Sequence, residues 1–233
     1  MGLPKIDHPT FDLTVPSTQE TIKYRPFLVR EEKILLMAQE SGEPNSFIDA
    51  ITQVLNNCVY DYEIGHLASF DLEYLFLKLR ANSVSDLAKI NVYDEETENY
   101  EEIEIDLNLV DCPVVKQENL IQLNDVVSIE MRYPKYADLL AMDGDSGLET
   151  SLDMIARCIA KVYTADETME MQDFSKDEQE DFINSFPADV FAQIQKFFEE
   201  MPKVTMDVKY KIKLDGKQKT KKKTLQGIND FFS

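Results

Sequence analysis

The chain of 233 residues is poor in the side chains on which most catalytic sites depend. It contains no tryptophan, two histidines, three cysteines and seven glycines. The glycines form neither GxxxxGK nor GxGxxG, so the phosphate-binding loops of familiar nucleotide enzymes are missing. His8 and His66 have no cysteine or second histidine at metal-ligand spacing, and there is no GxSxG motif. These absences argue against an enzyme, a metal site and a cofactor.

Long apolar segments are also absent. The longest apolar run is residues 34–38, whereas a membrane-spanning helix requires about 20 apolar residues. The first eleven residues lack the apolar stretch of a signal peptide, so we expect an intracellular protein. Cys58, Cys112 and Cys158 lie far apart without a CxxC pair, which predicts buried, inert thiols rather than disulfides or a zinc knuckle.

Basic residues are scarce over most of the chain and concentrated at its end. The net charge is −20, from 44 acidic and 24 basic side chains. Residues 203–233 hold nine lysines and three acids, a net charge of +6, which leaves −26 for the rest. A strongly acidic chain repels phosphate backbones, so we expect protein partners and no nucleic acid.

The order of hydrophobic patterns predicts an α+β fold. Strand-like alternation predicts a β-hairpin over 11–29, a second hairpin over 90–107, two short strands over 120–133 and a C-terminal hairpin over 204–225. Helical spacing predicts helices over 30–41, over 47–58, after Ser69, along a stripe from Leu148 to Ile159, from the Ser175 capping box to about Phe186, and over 190–198. We expect an N-terminal α+β domain over 1–135 and a helical segment with the basic hairpin over 148–233, or one continuous domain.

Two regions contain candidate partner-binding residues, and the first is residues 24–38. The apolar run of the helix at 30–41 is wider than one stripe, which predicts a central helix packed on several sides. Before it, Arg25 lies beside Pro26 and Phe27 at the predicted strand-to-helix junction and is expected either to pair with a buried acid or cap carbonyls, or to belong to an interface.

The C-terminal tail also has two interpretations. Its lysines alternate with apolar residues, as in a protected edge strand. Alternatively, Lys221, Lys222 and Lys223 form a basic patch for an acidic protein, with Phe231 and Phe232 either anchoring that partner or fixing the hairpin to the body.

Three blocks of sequence resemble a known family. The run YRPFLVREEKILLMA at 24–38 resembles the opening signature of baseplate hub proteins of T-even-type contractile-tailed bacteriophages. FDLEYLFLKLRANSV at 70–84 supports the resemblance, and TLQGINDFF at 224–232 is similar to the closing motif of that family. The resemblance covers nearly the whole chain, although residues 85–200 add little to it.

The resemblance implies a non-enzymatic baseplate hub subunit or hub-assembly factor. Its expected partners are other baseplate hub or tail proteins, and its expected location is the virion, with the host cytoplasm during assembly. Some relatives carry cysteine pairs in the two hairpins, like a degenerate zinc ribbon, but residues 90–107 and 204–225 contain no cysteine, so no metal role carries over. The alternatives are a cytosolic tail-assembly chaperone absent from the virion, and a cryptic hydrolase.

Overall fold

The computed structural model describes residues 6–42, 46–114, 118–140, 148–214 and 217–231. The helices in these ranges are α1 (Val29–Ser41), α2 (Ser46–Cys58), α3 (Ser69–Ser83), α4 (Tyr136–Leu140), α5 (Leu148–Cys158), α6 (Lys176–Asn184) and α7 (Ala188–Glu199). The strands are β1 (Phe11–Thr14), β2 (Thr21–Tyr24), β3 (Val59–Tyr60), β4 (Leu87–Asp94), β5 (Asn99–Asp106), β6 (Leu120–Gln122), β7 (Ser128–Met131), β8 (Ile159–Tyr163), β9 (Thr168–Glu170), β10 (Thr205–Leu214) and β11 (Lys217–Gln226). The α+β prediction is confirmed.

The chain forms two compact units. One combines Met1–Val114 with Pro202–Ser233, and the other is Val115–Met201. These limits differ from the domain division at 135 and 148 that the sequence suggests, because the C-terminal hairpin belongs to the same unit as the N-terminal elements. An antiparallel bridge between Asp111 and Thr205 helps to close this discontinuous unit.

The first unit is built from an antiparallel sheet in the order β1-β2-β3, two hairpins and the helices α1 to α3. The apolar stripes of α2 and α3 form much of its core, as their spacing predicts. Buried members are Ile51, Val54, Leu55, Cys58, Leu72, Leu75, Phe76 and Leu79. Strand β2 ends at Tyr24, two residues before Pro26, whose missing N–H disfavours further pairing.

The two hairpins of the first unit each bury one face. Strands β4 and β5 pair antiparallel from Leu87↔Asp106 to Asp94↔Asn99. Strands β10 and β11 pair from Thr205↔Gln226 to Leu214↔Lys217. In both hairpins the first strand alternates between buried and exposed residues, which is typical of antiparallel strands with one face in water.

The second unit packs α5, α6 and α7 on a four-stranded antiparallel sheet, in the order β6-β7-β8-β9. Its core includes Ile129, Met131, Cys158, Met171, Val190, Ile194 and Phe197. The predicted continuation of α5 through Ile159 is wrong. Ile159 begins β8 and pairs with Met131 of β7, because an apolar β-branched residue satisfies the same core from a strand.

Candidate interaction surface

The C-terminal hairpin carries the predicted partner-binding lysines, and its register sorts them onto two faces. Directly paired residues on antiparallel strands point to the same side of the sheet. On the inner face the pairs are Val208↔Lys223, Tyr210↔Lys221 and Ile212↔Lys219. On the outer face, Lys209 pairs with Lys222, Lys211 with Thr220 and Lys213 with Gln218. The run at 221–223 is therefore divided between opposite faces.

Two of the inner lysines, Lys219 and Lys221, bind acidic groups at and after the end of β4. The Lys221 ammonium lies 2.7 Å from Asp94 Oδ2 and 3.4 Å from Glu96 Oε1, and the Tyr210 hydroxyl donates to Asp94 at 2.7 Å. Lys219 lies 3.0 Å from Glu96. The hydrogen bond from Lys221, with that from Tyr210, holds the pKa of Asp94 well below its usual range against the effect of burial. This cluster joins the two hairpins.

Sequence reasoning missed Asp94, although a signal was present. In β4 the residues Ala88, Ile90, Val92 and Asp94 all occupy buried, alternate positions. A carboxylate that continues an inward-facing apolar series requires a buried partner. Lys221 and Tyr210 are those partners.

The outer lysines have a different environment. Lys209, Lys211, Lys213 and Lys222 are all exposed. Among the residues that the structure describes, none of the four has a carboxylate within ion-pair distance. The outer face of the hairpin therefore carries four cations without an ion pair, and its one described acidic side chain, Asp207, accepts a hydrogen bond from the Thr224 hydroxyl.

Phe231 is part of the core of the first unit. Its side chain is 2% exposed, and Leu225 and Ile228 before it are also buried. This supports a role in fixing the hairpin to the body, and Phe231 is not free to anchor a partner directly. Phe232, its predicted companion, lies outside the described residues.

Glu73 of α3 contacts the same C-terminal turn. Its carboxylate accepts a hydrogen bond from the Ile228 backbone N–H, and burial raises its pKa to about 7 despite this bond. Glu73 is therefore a titratable link between α3 and the last residues of the chain.

Arg25 is almost completely buried, with 6% of its surface exposed. Its guanidinium lies 2.9 Å from Glu31 Oε1 and donates to the backbone carbonyls of Pro26 and Asn57, each at 2.9 Å. Burial opposes ionisation of Glu31, but hydrogen bonds from Arg25, Leu28 N–H and Arg30 outweigh it and lower the pKa of Glu31 to about 2. These contacts match the first alternative for Arg25, pairing with a buried acid and capping carbonyls.

The prediction that α1 is a central helix packed on several sides is wrong. Its one buried residue is Glu31, whereas Val29 is 66%, Leu36 52% and Met37 70% exposed. Positions 29, 36 and 37 are seven and eight residues apart, so they share one side of the helix. The helix packs against α2 and leaves this side, which we call the α1 apolar face, open.

A groove of about 610 Å³ runs beside α1 within the first unit. Leu35 and Leu36 line one part of it, and the lining also includes Phe76 and Phe231, which are 1% and 2% exposed. The charged residues of the lining are Glu32, Arg80 and Lys89, and Lys89 is paired with Glu102 at 2.8 Å. The α1 apolar face and this groove together form a surface suited to binding another protein.

Cys58, Cys112 and Cys158 are buried, and burial raises the pKa of each thiol, to about 11 for Cys58 and about 12 for the other two. His66 is exposed and lies beside Glu63. In the part of the chain that the structure describes, histidine, cysteine and carboxylate side chains form no cluster that would hold a metal, and no helix is both long and apolar enough to span a membrane.

The family of the chain is shown by comparison with known families. The model of the family described as T4 bacteriophage base plate protein matches residues 8–233. Because this match covers nearly all of the sequence, the chain belongs to that family and is a bacteriophage baseplate protein. Membership implies a location in the virion tail and other tail proteins as partners. No curated protein and no solved structure matches the chain.

Proposed function

We propose that this protein is a baseplate hub subunit or hub-assembly factor of a contractile tail, and that it acts by binding other tail proteins without catalysis. The observation that carries the proposal is the α1 apolar face. Three large apolar side chains on one side of a helix, each more than half exposed, are typical of a surface that a partner covers. Membership of the baseplate family supplies the class of partner.

The first turn of α1 is held in place, which favours binding of a partner to a preformed surface. Arg25 ties Glu31 in the first turn of α1 to the end of β2 and to the last turn of α2. At the other end, Gly42 adopts φ +68°, the left-handed conformation that stops a helix at low cost. A helix whose first turn is held in this way loses little conformational entropy there on binding.

A double substitution tests this surface. Leu36→Asp with Met37→Asp is expected to leave the thermal unfolding curve nearly unchanged, because both side chains are exposed, but to block tail assembly when it replaces the parental protein in infected cells. The matched control is Leu109→Asp with Val126→Asp, which alters two residues that are 68% and 60% exposed elsewhere. Normal tail assembly by the α1 variant would contradict the role of this surface.

Quantitative mass spectrometry of purified virions separates the two forms of the proposal. A hub subunit is present at a fixed ratio to other baseplate proteins, whereas an assembly factor is absent from the particle. Normal baseplates from a phage that lacks the gene would overturn both. Substrate turnover that His66→Ala abolishes would show an enzyme instead.

A further inference from the structure

We infer that the outer face of the C-terminal hairpin, formed by Lys209, Lys211, Lys213 and Lys222, docks an acidic surface of a different baseplate protein. This inference rests on the proposed function and names the chemistry of one partner. The contact is assigned to the lysines on the outer face of the hairpin. Lys221 lies on the inner face and is excluded.

The first support is the difference in ion pairing between the four outer lysines and the inner lysines Lys219 and Lys221. Lys219 and Lys221 are neutralised by Glu96 and Asp94 within the same unit. Among the described residues, no carboxylate lies within ion-pair distance of the four outer lysines, although the chain has 44 acidic side chains. These lysines have no ion pair although the protein is strongly acidic, so they are available to bind an anionic group of another molecule.

The second support is electrostatic repulsion within the row. Lys209 and Lys222 lie directly opposite each other, and like charges at such positions destabilise a hairpin. Lys211 and Lys213 continue the row at intervals of about 6–7 Å, the distance between alternate residues of a strand. A partner that places carboxylates along this row relieves the repulsion, so binding and relief of strain favour the same state.

The charge and composition of the chain favour a protein over a nucleic acid. Its net charge of −20 repels a phosphate backbone at long range, whereas a local acidic patch on a protein makes a short-range contact. The other residues of the outer face are Thr205, Asp207, Gln218, Thr220, Thr224 and Gln226, so the described face offers no aromatic side chain on which a base would stack.

A second copy of this chain is a poorer partner than a different protein. Its most comparable acidic row is the exposed face of β5, with Glu102, Glu104 and Asp106 at alternate positions. Glu102 already pairs with Lys89 at 2.8 Å, and Asp106 accepts a hydrogen bond from the Asn108 N–H. Two copies of net charge −20 also repel each other.

Zero-length carbodiimide cross-linking tests the contact directly, because the reagent joins an amine only to a carboxylate that touches it. Baseplate assembly intermediates from infected cells are treated, digested and analysed by mass spectrometry. Cross-links from Lys219 or Lys221 to Glu96 or Asp94 are the internal positive control. We expect cross-links from the outer lysines to Asp or Glu of another baseplate protein. Cross-links from these lysines only to a second copy of this chain, or none while the control cross-links form, would overturn the inference.

Matched charge variants measure the effect on assembly. Lys209→Gln, Lys211→Gln and Lys213→Gln in one chain are compared with Lys23→Gln, Lys196→Gln and Lys203→Gln, which remove the same charge from exposed sites elsewhere. We expect both variants to melt like the parent, and the first alone to assemble about 10-fold more slowly, since steering charges act mainly on the association rate. Equal rates for the two variants would overturn the inference.

Three further outcomes distinguish a failure of this inference from a failure of the proposed function. Binding of a labelled 30-base-pair DNA duplex at physiological salt, lost in the outer-face variant, would overturn the assignment to a protein. If the outer-face variant assembles normally while the Leu36→Asp, Met37→Asp variant does not, this inference fails and the proposed function stands. If the gene is dispensable for baseplates, the proposed function itself fails.

Discussion

Arg25 holds three elements together, since its guanidinium contacts Glu31 of α1, the Pro26 carbonyl after β2 and the Asn57 carbonyl of α2. Arg25→Ala leaves the Glu31 carboxylate buried without its main partner, so we expect a loss of about 3–5 kcal/mol in the free energy of unfolding. Arg30 contacts the same carboxylate from the surface, with 68% of its side chain exposed. Arg30→Ala is the matched control, with an expected loss below about 1 kcal/mol.

Chemical denaturation of both variants measures these losses, and pH provides a second readout. The pKa of Glu31 is lowered by folding, so its contribution to stability is present above the ordinary pKa of about 4.5 and is lost as the pH falls towards 2. In Arg25→Ala this acid dependence is expected to weaken. Unchanged stability together with lost complex formation would assign Arg25 to an interface instead.

Glu73 has the opposite linkage. Because folding raises its pKa to about 7, the folded state binds a proton more tightly than the unfolded state. Its effect on stability is most favourable below about pH 4.5 and is lost as the pH rises to 7. Glu73→Gln is expected to flatten this slope and to raise the melting temperature at pH 8, since a neutral side chain still accepts the Ile228 hydrogen bond. Equal slopes for variant and parent between pH 5 and 8 would contradict the assignment.

At the scale of elements, Lys221 is one of the residues that join the two hairpins of the first unit. Lys221→Met removes the cation that faces Asp94, whereas Lys222→Met, its neighbour in sequence, alters the outer face. We expect the first variant to lower the melting temperature and the second to leave it unchanged. Replacing Lys221, Lys222 and Lys223 together therefore mixes a loss of stability with a loss of surface charge, so the single variants are the better test. Equal melting temperatures for the two would contradict this division.

The local elements were predictable from the sequence, but their burial was not. Helix α3 follows from its own apolar stripe, and α6 from the Ser175–Glu178 capping box, because periodicity and capping are properties of neighbouring residues. The exposure of Met37 and the burial of Glu31 depend on which side of α1 meets α2, a choice made by residues distant in sequence. Strand β8 was not predicted, because it pairs with β7 and helix α5 separates these two strands in the sequence.

The candidate site was predictable only in part for the same reason. The basic tail and Arg25 stand out by composition and position. The pairing of Lys221 with Asp94 spans 127 positions, and no local pattern reports it. The alternation of β10 and β11 predicts which lysines share a face only after the register is known, since a shift of one residue exchanges the two faces.

At the scale of the whole molecule, we expect folding to be independent of bound metal. The hairpins are joined by the ion pairs of Asp94 and Glu96 with lysines, and these contacts need no metal ligands. Treatment with a chelator is expected to leave the melting curve unchanged, and elemental analysis to find no stoichiometric zinc. Zinc that is lost together with the fold on chelation would contradict this expectation.

The discontinuity of the first unit has a consequence for the order of events on the ribosome. Residues 1–114 are synthesised before the whole of 115–201, and their hairpin partner follows later. At about 5–20 residues per second, synthesis from residue 114 to residue 231 takes roughly 6–23 s. During that time Asp94 has no Lys221, and the core positions that Leu225, Ile228 and Phe231 will fill are open. The nascent first unit therefore remains incomplete until synthesis approaches residue 231, while Val115–Met201 has all of its own residues available to fold earlier.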